Sequence, residues 1–354
     1  MDDQESIQFH QEVTWSYSKY RLQFYKPAKT SRDTLTERLI FILKVSSNHL
    51  PNIAGIGECA PIYGLSVEPA AEIESMVQAA VDGLNQGTIQ KPSDISSPAI
   101  RFAVESAWLD LTHGGKRLIV NQKNKSIPIN GLVWMNEKEA MLNEAFEKIA
   151  NGYSVIKLKI GGLNFDDELS ILYKLRQKYE NRIIIRLDAN GAFSVETAMD
   201  KLNALAEFNI HSIEQPINSG QWDAMRMICE SSPIPIALDE ELIGVEVKKE
   251  KIALLDTIKP HYIILKPTLH GGLSGSDEWI RLAEERNIQW WATSALESNI
   301  GLNVIAQWVQ KWNPQLPQGL GTGGLYINNF PAAWQTNAGQ LNFISTADLA
   351  AIEF

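Results

Sequence analysis

The order of apolar and polar positions divides the chain near residue 125. Before it, residues 20–25 and 39–45 read as strands, and a Gly-rich turn is expected around 55–57. Helical spacing follows over 69–86 and 97–113; in the second stretch Ile100, Ala103, Val104, Ala107, Trp108 and Leu111 fall on one helical face. Strands followed by helices predict a compact α+β unit. Residues 114–126, with a Gly pair and clustered Lys and Asn, read as a connection.

After it the pattern becomes regular. Apolar runs occur at 127–134, 155–160, 183–189, 212–215, 234–239, 262–266, 288–293 and 318–321, with helical stretches such as 166–179, 195–208 and 273–286 between them. Strand alternating with helix predicts parallel strands joined by crossover helices. Eight short runs rich in Ile, Val and Leu fit an α/β barrel of the TIM type better than an open sheet. No G-x-G-x-x-G follows the first run, which weakens a dinucleotide-binding reading. Residues 325–354 are expected to leave the barrel and pack back on the N-terminal unit.

Charges interrupt these apolar runs at a regular place. The second run, VIKLKI, holds Lys157 and Lys159, and the third, IIIRLDAN, holds Asp188. Glu214 lies in SIEQP, Asp239 in IALDE and Lys266 in IILKP. The steps 159 to 188, 188 to 214, 214 to 239 and 239 to 266 are 29, 26, 25 and 27 residues, each near one β/α unit. A charge therefore recurs at the C-terminal end of five successive strands, where barrel enzymes carry their active sites. Strand alternation turns Lys157 and Lys159 to one face, and Arg186, Asp188 and Asn190 likewise. Inward charges are costly unless paired or metal-bound, and three converging carboxylates favour a hard divalent cation. All-oxygen ligation selects magnesium or manganese over zinc. A second ammonium two residues away and a nearby dication both lower the pKa of Lys159, as a lysine base requires. Such a base, with metal stabilising an enediolate, suits proton removal beside a substrate carboxylate.

Each residue also has a plainer reading. A lone inward Asp is about as often an ion-pair partner as a ligand, and Lys157 with Lys159 could form an exposed edge. Arg186 is expected to pair with carboxylates inside the barrel. Asn190 before Gly191 suits a turn. Glu240 is expected to face away from Asp239 and cap the next helix. His270, just past Lys266, could meet a substrate carboxylate but reads better as a solvated loop residue, and only one of Trp290 and Trp291 can face inward. Five charged strand ends in register carry more weight than any one of these residues.

The bulk numbers narrow the partners. Lys+Arg 32 against Asp+Glu 42 gives a net charge of −10, which opposes nucleic-acid binding. Two distant cysteines, Cys59 and Cys229, read as reduced thiols rather than a disulfide. No signal peptide and no spanning apolar run is apparent, so no membrane partner is expected and the cytoplasm is the default. Monomer and homodimer both stay open.

KLK, RLDANGAF, EQP, ALDE and ILKP together resemble the muconate-lactonizing-enzyme branch of the enolase superfamily, over nearly the whole chain. The resemblance implies an α+β capping domain at 1–122, a (β/α)7β barrel at 123–324 and a C-terminal segment at 325–354 that returns to the cap. It implies magnesium, replaceable by manganese, on Asp188, Glu214 and Asp239. Lys159 would be the base, Lys157 its neighbour, and Lys266 the lysine on the opposite side.

KPTLHGG (266–272) and TSALESNIG (293–301) further resemble o-succinylbenzoate synthases, as do the cap segments KPAKTSR (26–32) and GECAPIYGLS (57–66). The implied reaction is loss of water from a cyclohexadiene carboxylate bearing a succinyl arm, in menaquinone biosynthesis. The substrate is thus a small carboxylate anion. Ser31, Asn190, Thr293, Ser294, Ser298, Gly321 and Thr322 are expected to face it, although Ser298 also suits a helix N-cap. Thr293 stands where the family often has Ser, which keeps the hydroxyl. An N-succinylamino acid racemase, using one lysine on each face, is the nearest alternative. Dipeptide epimerases usually carry D-x-D where this chain reads GLGTGGLY, and muconate cycloisomerisation suits the 293–301 segment less well. No His-x-His supports a hydrolase barrel. An inactive dicarboxylate-binding barrel is the non-enzymatic alternative, opposed by the presence of both strand-two lysines and all three acids.

Overall fold

In the N-terminal unit, apolar residues on both faces of one strand demand two covering layers. The computed structural model describes residues 12–29, 34–50, 52–120 and 126–354. Strands β1 (Val13–Lys29), β2 (Thr34–Ser47) and β3 (Ala54–Cys59) form an antiparallel sheet in that order. Phe41, Leu43 and Val45 of β2 pack under helices α1 (Ile73–Gln86) and α2 (Pro98–Thr112). Ile40 and Ile42, on the opposite face, join the large core shared with the barrel.

β1 and β2 extend well beyond the apolar runs at 20–25 and 39–45, because their polar ends pair with each other as a ribbon rather than bury. Residues 55–57 are not a turn but the middle of β3. Their glycines serve close packing instead: a Cβ on Gly57 would lie 1.9 Å from the Ala103 carbonyl oxygen, and one on Gly55 would lie 1.9 Å from that of Ala107. Helix α2 therefore rests directly on the strand backbone.

The second unit is built on parallel strands. β4 (Ser126–Pro128) and β5 (Gly131–Val133) open it, followed by α3 (Lys138–Ala150), β6 (Val155–Lys159), α4 (Phe165–Tyr179), β7 (Ile184–Asp188) and α5 (Val195–Ala206). Then come β8 (Ser212–Glu214), α6 (Trp222–Ser231), β9 (Ile236–Leu238), α7 (Lys248–Ile258), β10 (Tyr262–Leu265), α8 (Gly272–Glu284), β11 (Gln289–Ala292) and α9 (Asn299–Trp312). Strands β5 to β11 form one seven-stranded sheet in spatial order. It closes through residues 318–319: Ile129 bridges Gln318 and Thr293 bridges Gly319, both parallel. The backbone N–H of Asn130 donates to Gln318 and that of Gly319 to Ala292, so the eighth position joins both edges. This is the expected curled α/β barrel.

Alternation sorts the strands as expected. Ala237, Ile264 and Trp291 form an inner cluster, while Trp290 faces the helical layer and meets Trp308 and Trp312. A hairpin of β12 (Trp334–Asn337) and β13 (Gln340–Phe343) then pairs with β4, and a short helix α10 (Ala347–Ala350) follows. Nearby, Tyr25 donates to Leu325 and Ile327 to Gln23, so the chain after the barrel runs along β1. The 122/123 division falls within 121–125, outside the described residues.

Replacing Gly57 with Ala is expected to cost about 2–4 kcal/mol, since backbone rather than a flexible side chain must move. Urea unfolding of the variant against the wild type measures it.

Candidate active site

Strand ends bring the sequence-predicted charges together at one mouth of the barrel. Lys159 pairs with Asp188 and Asp188 with Glu214 in parallel register, which puts three charges side by side. Lys157 Nζ lies 2.9 Å from Asp188 Oδ2 and 2.6 Å from Glu214 Oε2. Lys159 Nζ lies 3.1 Å from Asp188 Oδ2, and Lys266 pairs with Asp239. The three carboxylates are 0–1% exposed, so water screens none of these pairs.

Burial acts first on every group. It would lower Lys157, but the carboxylates of Asp188 and Glu214 outweigh it and hold the ammonium above its usual range. Lys266 is raised in the same way by Asp239. Burial alone would raise Asp188, yet Lys157 and Lys159 bring it below the ordinary carboxylate range. Glu214 goes up, through burial and the neighbouring Asp188 charge.

Asn190 and Glu240 extend the array. Lys159 Nζ donates to Asn190 Oδ1 at 2.7 Å, and Asn190 Nδ2 donates to Glu240 Oε1 at 2.9 Å. Asn190 reaches this position from a left-handed backbone, φ 44°, which Asn tolerates better than most residues. Glu240 does not face away: it begins a 3-10 turn straight after β9, so strand alternation stops there and its side chain is buried beside the site.

Gln215, also left-handed, was not singled out by sequence. Its Oε1 accepts from the backbone N–H of Asp239 and of Glu241, and its Nε2 donates to Ile217 O and Glu241 Oε2. It ties the end of β8 to the end of β9; the EQP motif was its only signal. Glu168 likewise accepts from the N–H of Gly161 at 2.5 Å and fixes the loop beyond Lys159.

Whether oxygens are available for a cation can be read from the acceptors left over. Glu214 Oε1, Asp239 Oδ1 and Glu240 Oε2 are buried and find no hydrogen-bond partner. Four buried carboxylates thus face three ammonium groups. As placed, no three His, Cys, Asp or Glu side chains among the described residues form a ready metal shell; lysine nitrogens stand between the acids. The donor set, hard oxygens with unused lone pairs, fits a hard divalent cation.

The remaining candidates divide. Thr293 and Thr322 have buried hydroxyl oxygens without partners. Gly319 beside Thr293 admits no side chain, since a Cβ would lie 2.5 Å from Thr293 Oγ1. Gly321 is more open, its nearest neighbour being Ile129 at 3.6 Å. Ser294 Oγ is engaged by Glu297 Oε2 at 2.6 Å. Ser298 is engaged by the cap: its hydroxyl donates to Glu58 and accepts from Ile300 N at 3.1 Å as an N-cap. Ser31 lies outside the described residues.

Two further sequence readings change. Among the described residues Arg186 makes no ion pair; its guanidinium lies 3.9 Å over the Trp291 ring and donates to Pro317 O, and burial lowers it to about 10. His270 is buried, not solvated, because the 266–272 turn folds under the strand end. Its Nδ1 accepts from the Lys266 backbone N–H at 3.0 Å.

The N-terminal unit reaches the same mouth. Arg38 donates to the carbonyls of Ala60 and Pro61 on one side and of Ala295 and Leu296 on the other. Glu58 accepts from the backbone of Ser298 and Gly301, both at 2.8 Å.

Comparison with known proteins identifies the family. Residues 140–317 match the family model described as enolase C-terminal domain-like. An o-succinylbenzoate synthase from Desulfotalea psychrophila is 40% identical, over 92% of this chain and 98% of the relative. The chain belongs to the enolase superfamily, in its o-succinylbenzoate synthase family. The crystal structure of MenC from Desulfotalea psychrophila superposes with a TM-score of 0.79 at 36% identity, covering 94% of this chain and 99% of that one. A D-Ala-D/L-Ala epimerase from Cytophaga hutchinsonii is 26% identical over 81% of this chain and 80% of its own. Among the described residues no helix is long and apolar enough to cross a membrane.

Burial, with Lys266 and Lys251 nearby, pushes the His270 imidazole well below its usual range, so it stays neutral when folded. The unfolded chain takes up that proton as pH falls through about 6.5, which costs the fold stability below that pH. His270→Gln is expected to lose less stability than wild type between pH 7 and 5, read as the difference in thermal midpoint.

Proposed function

We propose that this protein is an o-succinylbenzoate synthase, removing water from a cyclohexadiene carboxylate that bears a succinyl arm. The observation that carries the reading is a complete lysine–carboxylate array in a chain 40% identical to such a synthase over nearly its full length. Asp188, Glu214 and Asp239 are the residues to hold magnesium, or manganese in its place. When bound, the cation supplies positive charge for the doubly negative enediolate that proton loss creates on the substrate.

Lys159 is the base. It takes the proton beside the carboxylate and returns it to the departing hydroxyl on the same face, so that one water leaves and the ring becomes aromatic. Asn190, held by Glu240, fixes the direction of the Lys159 nitrogen. Lys157 bridges Asp188 and Glu214 and keeps the two acids together. Lys266 approaches from the other side of the mouth and faces the developing charge, with a cation–π contact to the ring. Asn190, Thr293, Gly321 and Thr322 line the place for the substrate, and the cytoplasm suits the chain. A second reading, racemisation of N-succinylamino acids, is favoured by one observation: Lys159 and Lys266 meet different carboxylates of the same cluster.

Purified protein with magnesium is expected to form o-succinylbenzoate. EDTA abolishes turnover and magnesium restores it, while Lys159→Ala lowers kcat by at least about 1000-fold with the fold intact. Exchange of the α-proton of N-succinylamino acids without o-succinylbenzoate formation would replace this reading with the second.

A further inference from the structure

We infer that Glu105, a residue of the N-terminal unit, is a positioning residue for Lys266, acting through the first turn of α8. The inference rests on the functional reading above. Helix α8 begins at Gly272 behind Gly271, both left-handed, at φ 75° and 85°, and its N-cap residue gives no side-chain cap. Its free N–H groups need acceptors from elsewhere. Glu105 on α2 supplies them across the boundary between the units. Its Oε2 accepts from Leu273 N at 2.5 Å, and its Oε1 and Oε2 face Ser274 N at 3.4 and 3.3 Å. These are the N–H groups that an N-cap side chain ordinarily takes.

The carboxyl is fully buried and approaches so closely that only glycine fits opposite it. A Cβ on Gly272 would lie 2.5 Å from Glu105 Oε2. One helical turn earlier on α2, Arg101 Nη1 donates to Gly271 O at 3.3 Å and to Glu246 Oε2 at 2.8 Å. Two residues of one helix therefore grip the start of α8.

The grip reaches Lys266 because the link between them is short and internally bonded. Leu269 N and His270 N donate to Lys266 O at 2.7 and 3.0 Å, and Gly272 N donates to Pro267 O at 2.9 Å. His270 Nδ1 accepts from Lys266 N at 3.0 Å. This turn has little freedom of its own, so a shift at Gly272 carries to the lysine. Misplacement of a reacting group by about 1 Å costs roughly 100-fold in rate.

The test compares Glu105→Gln with wild type by steady-state dehydration, magnesium calorimetry and amide hydrogen exchange. Expected are a kcat lowered by about 10- to 100-fold, with KM and magnesium affinity within about threefold, and faster exchange at 266–274 but not at 155–160 or 184–190. A folded variant with kcat within about twofold of wild type overturns the inference. So does joint loss of kcat, KM and magnesium affinity with exchange raised throughout, the mark of a merely structural role. If Glu105→Gln fails to fold, Arg101→Gln carries the same readouts, and failure of both to fold also overturns it. Wild type without dehydration activity defeats the functional reading instead, while the exchange pattern still decides whether Glu105 holds the Lys266 turn.

Discussion

The Lys157 ammonium between Asp188 and Glu214 is the constraint on which the rest of the barrel mouth depends. Two carboxylates on adjacent strands, each only 1% exposed, repel each other with little screening by solvent. A buried charge left without its partner costs about 3–5 kcal/mol. Lys157 removes that cost without using every acceptor, because Glu214 Oε1 and Asp239 Oδ1 remain free of partners. The barrel thus folds with a site whose acids are paired with lysines yet keep unsatisfied acceptor oxygens. That combination suits a site built to receive a cation and an anionic substrate.

The N-terminal unit holds the opposite half of the mouth. Arg38 spans carbonyls of the loop after β3 and of the loop after β11, and Tyr326 Oη donates to Leu296 O at 2.6 Å on the same loop. Leu296 sits at φ 61°, a conformation costly for a branched side chain, and these contacts keep it there. Glu58 holds the start of α9 through Ser298 and Gly301. Charge is placed by strand ends, whereas shape is placed by loops anchored on the other unit.

Much of this was legible in the sequence, for a definite physical reason. Strand alternation and the spacing of one β/α unit are rigid rules, so Lys157, Lys159, Asp188, Glu214, Asp239 and Lys266 could be put on one face of one mouth from their positions alone. The rules stop where the strand stops. Glu240 was turned the wrong way because a 3-10 turn follows Asp239 directly. Arg186 was expected to seek a carboxylate, but the strand-end lysines already occupy those acids, and it stacks on Trp291 instead. Gly55 and Gly57 looked like a turn because their use depends on where α2 packs, which is long-range information. Ser298 was read as both N-cap and substrate contact; its hydroxyl is committed to Glu58 from the other unit, and no local pattern carries that pairing.

The central claim is that three inward carboxylates, held together by lysine, form a divalent-cation site. Calorimetric titration of magnesium into metal-free wild type and Glu214→Gln tests it most directly. Wild type is expected to bind one magnesium per chain and the variant at least about tenfold more weakly, since a charged ligand is lost. Equal affinity in both proteins, or no binding to wild type, would contradict it.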